Sequence, residues 1–300
     1  MNGYHCYEQY NEPHEWFEIE LLVQLLSILH WKELGHSMNL ICDSAHLKVL
    51  EKYGIDKYYD EINYGSLELL GKGINRTQYW AIAKILCNFL ITDEEYAIID
   101  TDVIISQMPD LKMDKPLSFS GMFCENHILG NGPVVYPQLE KVLSKHMAYQ
   151  FKDLTDVMPV NTSFLHLRDR ELVDEWTTIA YTTALENSKK SILYGEMMTI
   201  EQRVLPMLAR FMNKRYSTLI TNTYLPGEEG IQNRIEWDPA PRNGGNILEA
   251  SKWYFHLWGF KKMLNNKELR TVLINFLVND LKQNFETTYN IIQQKFKIIK

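Results

Sequence analysis

The chain has 300 residues, 45% of them hydrophobic and 12% aromatic, enough to bury a substantial core in one large α/β domain or two small ones. A formal net charge of −7 argues against a general nucleic-acid binder, which needs a basic footprint. The four cysteines (Cys6, Cys42, Cys87 and Cys124) include no Cys-x-x-Cys pair, which disfavours a zinc site or a disulfide framework and fits a reducing cytoplasm.

Met1 to Tyr10 is polar and aromatic, without the pattern of a secretory signal, and Gly3 to Tyr10 reads as a first strand. Glu15 to Leu34 follows as a long amphipathic helix, with Trp16, Ile19, Leu22, Val23, Leu26, Leu29 and His30 at helical spacing and Gly35 just past its end. Its most apolar part, Ile19 to Leu29, is too short for a membrane span and carries Glu20 and Gln24. Met38 to Asp43 is a short strand, with Ser44 as the expected N-cap of a helix over Ala45 to Tyr53 that Gly54 stops. Tyr58 to Ile62 reads as another strand and Thr77 to Leu90 as a helix. Strand–helix alternation of this kind predicts an α/β fold with a mostly parallel sheet.

Tyr96 to Ile99 is a short β-branched apolar run that leads into Asp100-Thr101-Asp102 before apolar residues resume. If the backbone stays extended, both carboxylates share a face. Two hard oxygen ligands at the carboxyl end of a buried strand suit Mg²⁺ or Mn²⁺, where open α/β sheets gather their ligands. An exposed strand-to-loop junction would also explain the triplet. Lys84 falls beside the apolar stripe formed by Trp80, Ala83 and Cys87; it reads equally as a lysine snorkelling past the core edge and as a cation aimed at phosphate oxygens.

Farther on, Leu117 to Phe123 is strand-like, Asn126 to Pro133 a loop and Pro137 to Phe151 helical. Val160 to Leu167 has the period of a half-buried strand, followed by a helix over Arg170 to Leu185. Thr199 to Asn213 reads as a helix with a capping threonine, a position that by itself accounts for the acid Glu201 in the first turn. After a strand over Tyr216 to Thr221, Tyr224 to Gly245 is rich in Gly, Pro and Asn and reads as a lid-like loop. Helices over Lys267 to Asn284 and Glu286 to Ile298 close the chain. Before them, His256, Gly259 and Lys262 recur at intervals of three: an imidazole for a carboxylate metal site, a glycine permitting close backbone approach, and a cation for a diphosphate. A core histidine flanked by aromatics is the plainer reading. The cluster of Trp253, Tyr254, Phe255, Trp258 and Phe260 fits either core or a sugar-stacking surface.

In that order the pieces resemble the metal-dependent glycosyltransferases of the GT-A fold, particularly glycogenin and the bacterial family-eight galactosyltransferases. Asp100-Thr101-Asp102 resembles their Asp-x-Asp motif, and Asn161-Thr162-Ser163 their Asn-Ser-Gly strand. Glu201-Gln202 stands where an Asp-Gln pair opens a helix, and His256-x-x-Gly259-x-x-Lys262 matches their C-terminal spacing. The resemblance implies a GT-A-like, mostly parallel central sheet flanked by helices, with C-terminal helices. Its domain organisation would be a single unit over residues 1–300, with a nucleotide-binding half (1–112), an acceptor half (113–265) and the terminal helices (266–300). It implies Mn²⁺ or Mg²⁺ held by Asp100, Asp102 and His256 against the diphosphate of a nucleotide-sugar donor. Lys262 and Gly259 would contact that diphosphate, with Lys84 facing the donor phosphates or sugar. Asn161 and Gln202 would sit near the reacting carbon, with Glu201 a further candidate for nucleophile or base. The His-x-x-Gly-x-x-Lys ending implies retention of anomeric configuration.

The acceptor implied is a saccharide or glycoconjugate in polysaccharide biosynthesis, in a cytoplasmic enzyme, with the lysines of the last helix offering a peripheral membrane contact. The sequence also departs from the family. Met-Leu follows Lys262 instead of Pro-Trp, Thr162-Ser163 replaces Ser-Gly, and Tyr7, Tyr10 and Asp43 are the available residues for the nucleoside end. A nucleotidyltransferase is the alternative enzyme, disfavoured by the lack of a glycine-rich basic loop. A non-catalytic GT-A-like binding or scaffold protein is the alternative outside catalysis.

Overall fold

A computed structural model describes residues 1–8, 15–107, 117–122, 139–154, 157, 159–189, 195–220, 254–257 and 263–299, with backbone alone at 117–122, 217–220, 254 and 263. The strands are β1 (Asn2–Tyr7), β2 (Ser37–Cys42), β3 (Ile62–Tyr64), β4 (Tyr96–Ile99), β5 (Val103–Ile105), β6 (Leu117–Met122), β7 (Val160–Leu167), β8 (Tyr216–Ile220) and β9 (Tyr254–His256). The helices are α1 (Phe17–Glu33), α2 (Ser44–Tyr53), α3 (Ser66–Leu70), α4 (Ile82–Leu86), α5 (Leu139–Val142), α6 (Lys145–Gln150), α7 (Arg170–Asn187), α8 (Glu196–Met198), α9 (Leu205–Phe211), α10 (Lys267–Asn284) and α11 (Glu286–Ile292).

Seven strands form one sheet in the order β3-β2-β1-β4-β7-β6-β8, and β5 and β9 form a separate pair. Neighbours run parallel except at β7, which is antiparallel to both β4 and β6. The α/β architecture with a mostly parallel sheet is therefore as the alternation of elements predicts. Because side chains alternate along a strand, β4 feeds two cores. Tyr96 and Ile98 pack with residues of α4, α7 and α9, while Ala97 and Ile99 pack with residues of α1 and α10. The approach of α1 to β1 is close enough to require glycine: a Cβ on Gly3 would lie 2.4 Å from Trp31 Nε1, which donates to the Ser37 carbonyl at 3.1 Å. The C-terminal α10 buries Leu273, Leu277 and Leu281, and His30 on α1 meets Asp280 on α10 at 2.9 Å. Among the described residues no helix is long and apolar enough to cross a membrane.

Several local expectations are corrected. The N-cap of α2 is Asp43, whose Oδ1 accepts from His46 N at 2.7 Å; Ser44 is already helical. The strand expected over Tyr58 to Ile62 lies at Ile62–Tyr64, after a 3₁₀ turn at Asp56–Tyr58. The expected helix over Thr77 to Leu90 is broken into a turn, α4 and a 3₁₀ segment at Cys87–Phe89. The helix expected from Pro137 to Phe151 is interrupted where Ser144 caps α6 through Met147 N. Thr199 caps nothing: its hydroxyl donates to the Gly195 carbonyl at 2.9 Å, one turn earlier, and a π-helical segment occupies Thr199–Val204. The loops expected at Asn126 to Pro133 and Tyr224 to Gly245 lie outside the described residues.

Candidate metal site

The extended geometry expected for Asp100 and Asp102 is replaced by a turn. Asp100 N donates to the Ser163 carbonyl at 2.8 Å, keeping the chain on β7, and Val103 N then closes the turn on the Asp100 carbonyl at 3.0 Å. The chain leaves the large sheet at this point and enters the β5–β9 pair, where Val103 is registered opposite His256 and Leu257 N donates to the Asp102 carbonyl at 2.9 Å. That pairing brings in the imidazole from more than 150 residues away in sequence: His256 Nε2 stands 3.4 Å from Asp102 Oδ1. One ligand atom each from Asp100, Asp102 and His256 lies within 4.8 Å of the others. Two carboxylate oxygens and one imidazole nitrogen form a donor set that fits a hard or borderline divalent cation such as Mn²⁺ or Mg²⁺.

Lys84 is enclosed by acids. Its Nζ lies 2.7 Å from Asp100 Oδ1 and 2.5 Å from Glu201 Oε1, with Thr162 Oγ1 at 3.3 Å. Burial alone would lower its pKa, but the Asp100 and Glu201 carboxylates outweigh burial and hold the ammonium above its ordinary range. Burial pushes the Asp100 carboxyl up, an effect that Lys84 opposes and that Asp102 and Glu201 reinforce. The reading of Lys84 as a lysine snorkelling to the surface is overturned, since the side chain is only 8% exposed and ends among carboxylates.

The explanation of Glu201 as a first-turn helix acid fails as well. It sits in the middle of the π-helical segment, buried, with Oε1 accepting from Thr162 Oγ1 at 2.5 Å. A π-turn inserts one residue into the helical repeat and re-aims the side chains it carries, a device found frequently at functional sites. Here the turn carries Glu201 and Gln202, and both line the same cleft. Trp176 Nε1 steadies it by donating to the Ile200 carbonyl at 3.0 Å. Replacing Thr162 with valine is expected to cost about 2 kcal/mol, because a hydrogen bond to a buried carboxylate is lost. Thr162→Ser should recover most of it, and urea unfolding of the two variants decides between the outcomes.

The cleft has a volume of about 310 Å³ and opens at the carboxyl ends of β1 and β4. Lys84, Asp100, Asp102, Asn161, Glu201, Gln202 and His256 all line it, so the structure brings these seven expected site residues together, while Asp43 is not on its lining. Gly259 and Lys262 lie outside the described residues, as do Tyr10, Trp253, Trp258 and Phe260. Phe255 is core, packing 6.1 Å from the Phe276 ring. Asn161 Oδ1 accepts from Ser163 N at 2.9 Å.

At the far end of the cleft the Tyr7 ring lies 4.3 Å from the ring of His46, while Asp43 is used as the cap of α2. Behind it runs a buried polar chain. His46 Nε2 meets Gln24 Nε2 at 3.2 Å, Gln24 donates to Tyr59 Oη at 2.7 Å, and His5 lies between Tyr59 Oη (2.7 Å) and Ser27 Oγ (3.0 Å). Burial pushes both His5 and His46 down to about 3. Glu8, also on the cleft, pairs with Arg76 at 2.7 Å, yet burial outweighs the arginine and pushes its carboxyl up to about 7. Sequence reasoning missed Glu8, Gln24, His46 and Glu196. The available signal was a polar residue on an otherwise apolar face, as with Gln24 among the leucines of α1.

No family model and no curated protein matches this chain. Solved structures with a similar backbone include the glycosyltransferase GlyE of Streptococcus pneumoniae, at 13% identity and a TM-score of 0.47, over 96% of this chain and 64% of that one. They include mouse xyloside xylosyltransferase 1, at 9% identity and a TM-score of 0.37, over 73% and 85% of the two chains. A third is the galactosyltransferase LgtC in complex with donor and acceptor sugar analogues, at 9% identity and a TM-score of 0.37, over 75% and 88%. The chain thus spans just under two thirds of the length of GlyE.

Proposed function

We propose that this protein is a metal-dependent glycosyltransferase that moves a sugar from a nucleotide-diphosphate donor to a saccharide acceptor, with retention of configuration. The observation that carries this reading is the convergence of Asp100, Asp102 and His256 within 4.8 Å at the carboxyl end of β4, in a cleft shared with Lys84, Glu201 and Gln202. Breaking the bond between a sugar and a nucleoside diphosphate is easiest when the negative charge growing on the leaving oxygens is dispersed by fixed cations. A bound Mn²⁺ or Mg²⁺ supplies that Lewis-acid charge. The protein's share is to fix the ligands: Asp102 and His256 are locked by the β5–β9 register, and Asp100 by its bond to β7 and by Lys84.

In this reading the sugar lies toward Asn161 and Gln202, which place neutral amides beside its reacting carbon. Glu201, held through one oxygen by Lys84 and Thr162, faces the same region as a carboxylate available to stabilise positive charge developing on the ring. Tyr7 offers the nucleobase end an aromatic face. Gly259 and Lys262 are proposed for the diphosphate on the strength of the sequence resemblance.

Thermal stability with UDP and with GDP, each with and without Mn²⁺, tests the donor site on the wild type and Asp102→Ala. One nucleotide should stabilise the wild type only when Mn²⁺ is present, by about 2.7 kcal/mol at a hundredfold excess over Kd. Asp102→Ala should lose that shift. Absence of a shift with either nucleotide would favour a non-catalytic binding protein and sink the donor-site reading.

A further inference from the structure

Trp80 is a tryptophan that the fold leaves uncovered. Trp31 and Trp176 are fully buried, and each donates its Nε1–H to a backbone carbonyl. Trp80 lines the cleft with 46% of its surface exposed and, among the described residues, takes part in no hydrogen bond or ring contact. A large aromatic side chain contributes most when buried, so an exposed indole on a cleft wall forgoes that gain unless a ligand covers it.

The backbone that carries the ring is held in place, because the two residues before it are anchored. Gln78 Nε2 and Tyr79 Oη both donate to Oε2 of the buried Glu196, and Tyr79 N donates to the Asn75 carbonyl at 2.9 Å. Glu196 opens α8, which continues directly into the π-turn bearing Glu201 and Gln202. Trp80 and the residues proposed to face the reacting carbon are thus fixed to one frame. An aromatic side chain on an anchored backbone has only its own two side-chain torsions left to order when a ligand arrives.

Charge narrows the class of ligand. The described lining of the cleft includes the acids Glu20, Asp100, Asp102 and Glu201, and Lys84 is its one lysine or arginine, already paired with two of them. The described lining by itself favours a ligand without negative charge at this part of the cleft. A neutral ring with a flat face of C–H groups fits the indole and brings no charge for those carboxylates to repel.

We propose that Trp80 is the stacking platform of an acceptor subsite for a neutral pyranose ring. The assignment rests on the glycosyltransferase reading for its place in the reaction, but saccharide binding can be measured without a donor. Saturation-transfer NMR on the full chain, with lactose, maltose and cellobiose as probes and trigalacturonate as the anionic comparator, tests it directly. At least one neutral disaccharide should receive saturation on its ring C–H protons. That signal should fall at least fivefold in Trp80→Ala and largely return in Trp80→Phe, while trigalacturonate gives none. Equal signals in wild type and Trp80→Ala, or no signal from any neutral probe, would overturn the subsite. The nucleotide-dependent thermal shift separates the two ideas: if it is present when the saccharide signals fail, the donor site stands and the acceptor assignment falls.

Discussion

Replacing Lys84 with methionine is expected to destabilise the protein by about 3–5 kcal/mol at pH 7, the usual cost of removing one partner from a buried ion pair. The ammonium lies between Asp100 and Glu201, at 2.7 and 2.5 Å, so its removal leaves two carboxylates facing each other without a counter-charge. The cost follows from those stranded charges more than from the lost methylenes, which methionine largely replaces. Two further outcomes distinguish this cause from a packing defect. The double variant Lys84→Met/Glu201→Gln should recover at least half of the loss, because one stranded charge is gone. Lowering the pH to 5 should also narrow the gap between Lys84→Met and the wild type, since in the variant the folded state gains a proton that the unfolded chain does not need. Denaturant unfolding with a chelator present provides the measurement. A deficit unchanged by pH and by the second substitution would assign Lys84 a steric role.

The second large effect is a sensitivity to acid originating behind the cleft. His5 and His46 are buried and held down to about 3 from an ordinary value of 6.5. For both, burial is the leading cause; at His5 the second imidazole adds to it and the Asp102 carboxylate opposes it. Between pH 6.5 and 3 the unfolded chain therefore binds protons that the folded chain refuses. The sign follows from proton linkage: stability is full above 6.5 and is lost as the pH falls through that window. Each histidine contributes a slope of up to about 1.4 kcal/mol per pH unit, so the pair can remove about 5 kcal/mol across the first two units. Urea unfolding of the wild type and of His5→Gln/His46→Gln at pH 7, 6, 5 and 4.5 should give a flatter profile for the variant. Parallel profiles would show that the acid sensitivity arises elsewhere.

These two predictions meet at the cleft. His46 and Gln24 line it and lead through Tyr59 to His5, and Lys84, Glu201 and Thr162 line it as well. Both sets are polar groups withdrawn from water and bonded largely to one another, with His46 Nδ1 left without a hydrogen-bond partner among the described residues. Hydrogen bonds within such a buried network hold its members in place, while an unpaired atom in it is costly. If the proposed function holds, keeping metal ligands and amide side chains in place against a charged leaving group would benefit from such anchoring.

Much of this could be read along the chain. Local periodicity located β4, β7, α1, α7 and α10 closely, because an apolar repeat of two or of three to four residues is set by which face each side chain presents to the core. The residue types of the site were also legible. The Asp100-Thr101-Asp102 triplet suits a divalent cation by its chemistry but also fits a strand-to-loop junction, and His256, Asn161 and Gln202 were joined to it through the resemblance to the GT-A glycosyltransferases. Tertiary structure decided what those residues touch. Periodicity does not distinguish an extended Asp-x-Asp from the turn that β5 and β9 impose, because the pairing partner lies far along the chain. Nor does it reveal a π-turn, whose extra residue shifts Glu201 out of the role of helix-start acid and onto Lys84 and Thr162. Lys84 was ambiguous for the same reason: whether a lysine at a core edge reaches water or carboxylates depends on what the next strand and helix place opposite it. Sequence determined the elements and the chemical types; long-range pairing, governed by packing and by the need to satisfy buried polar groups, determined the site.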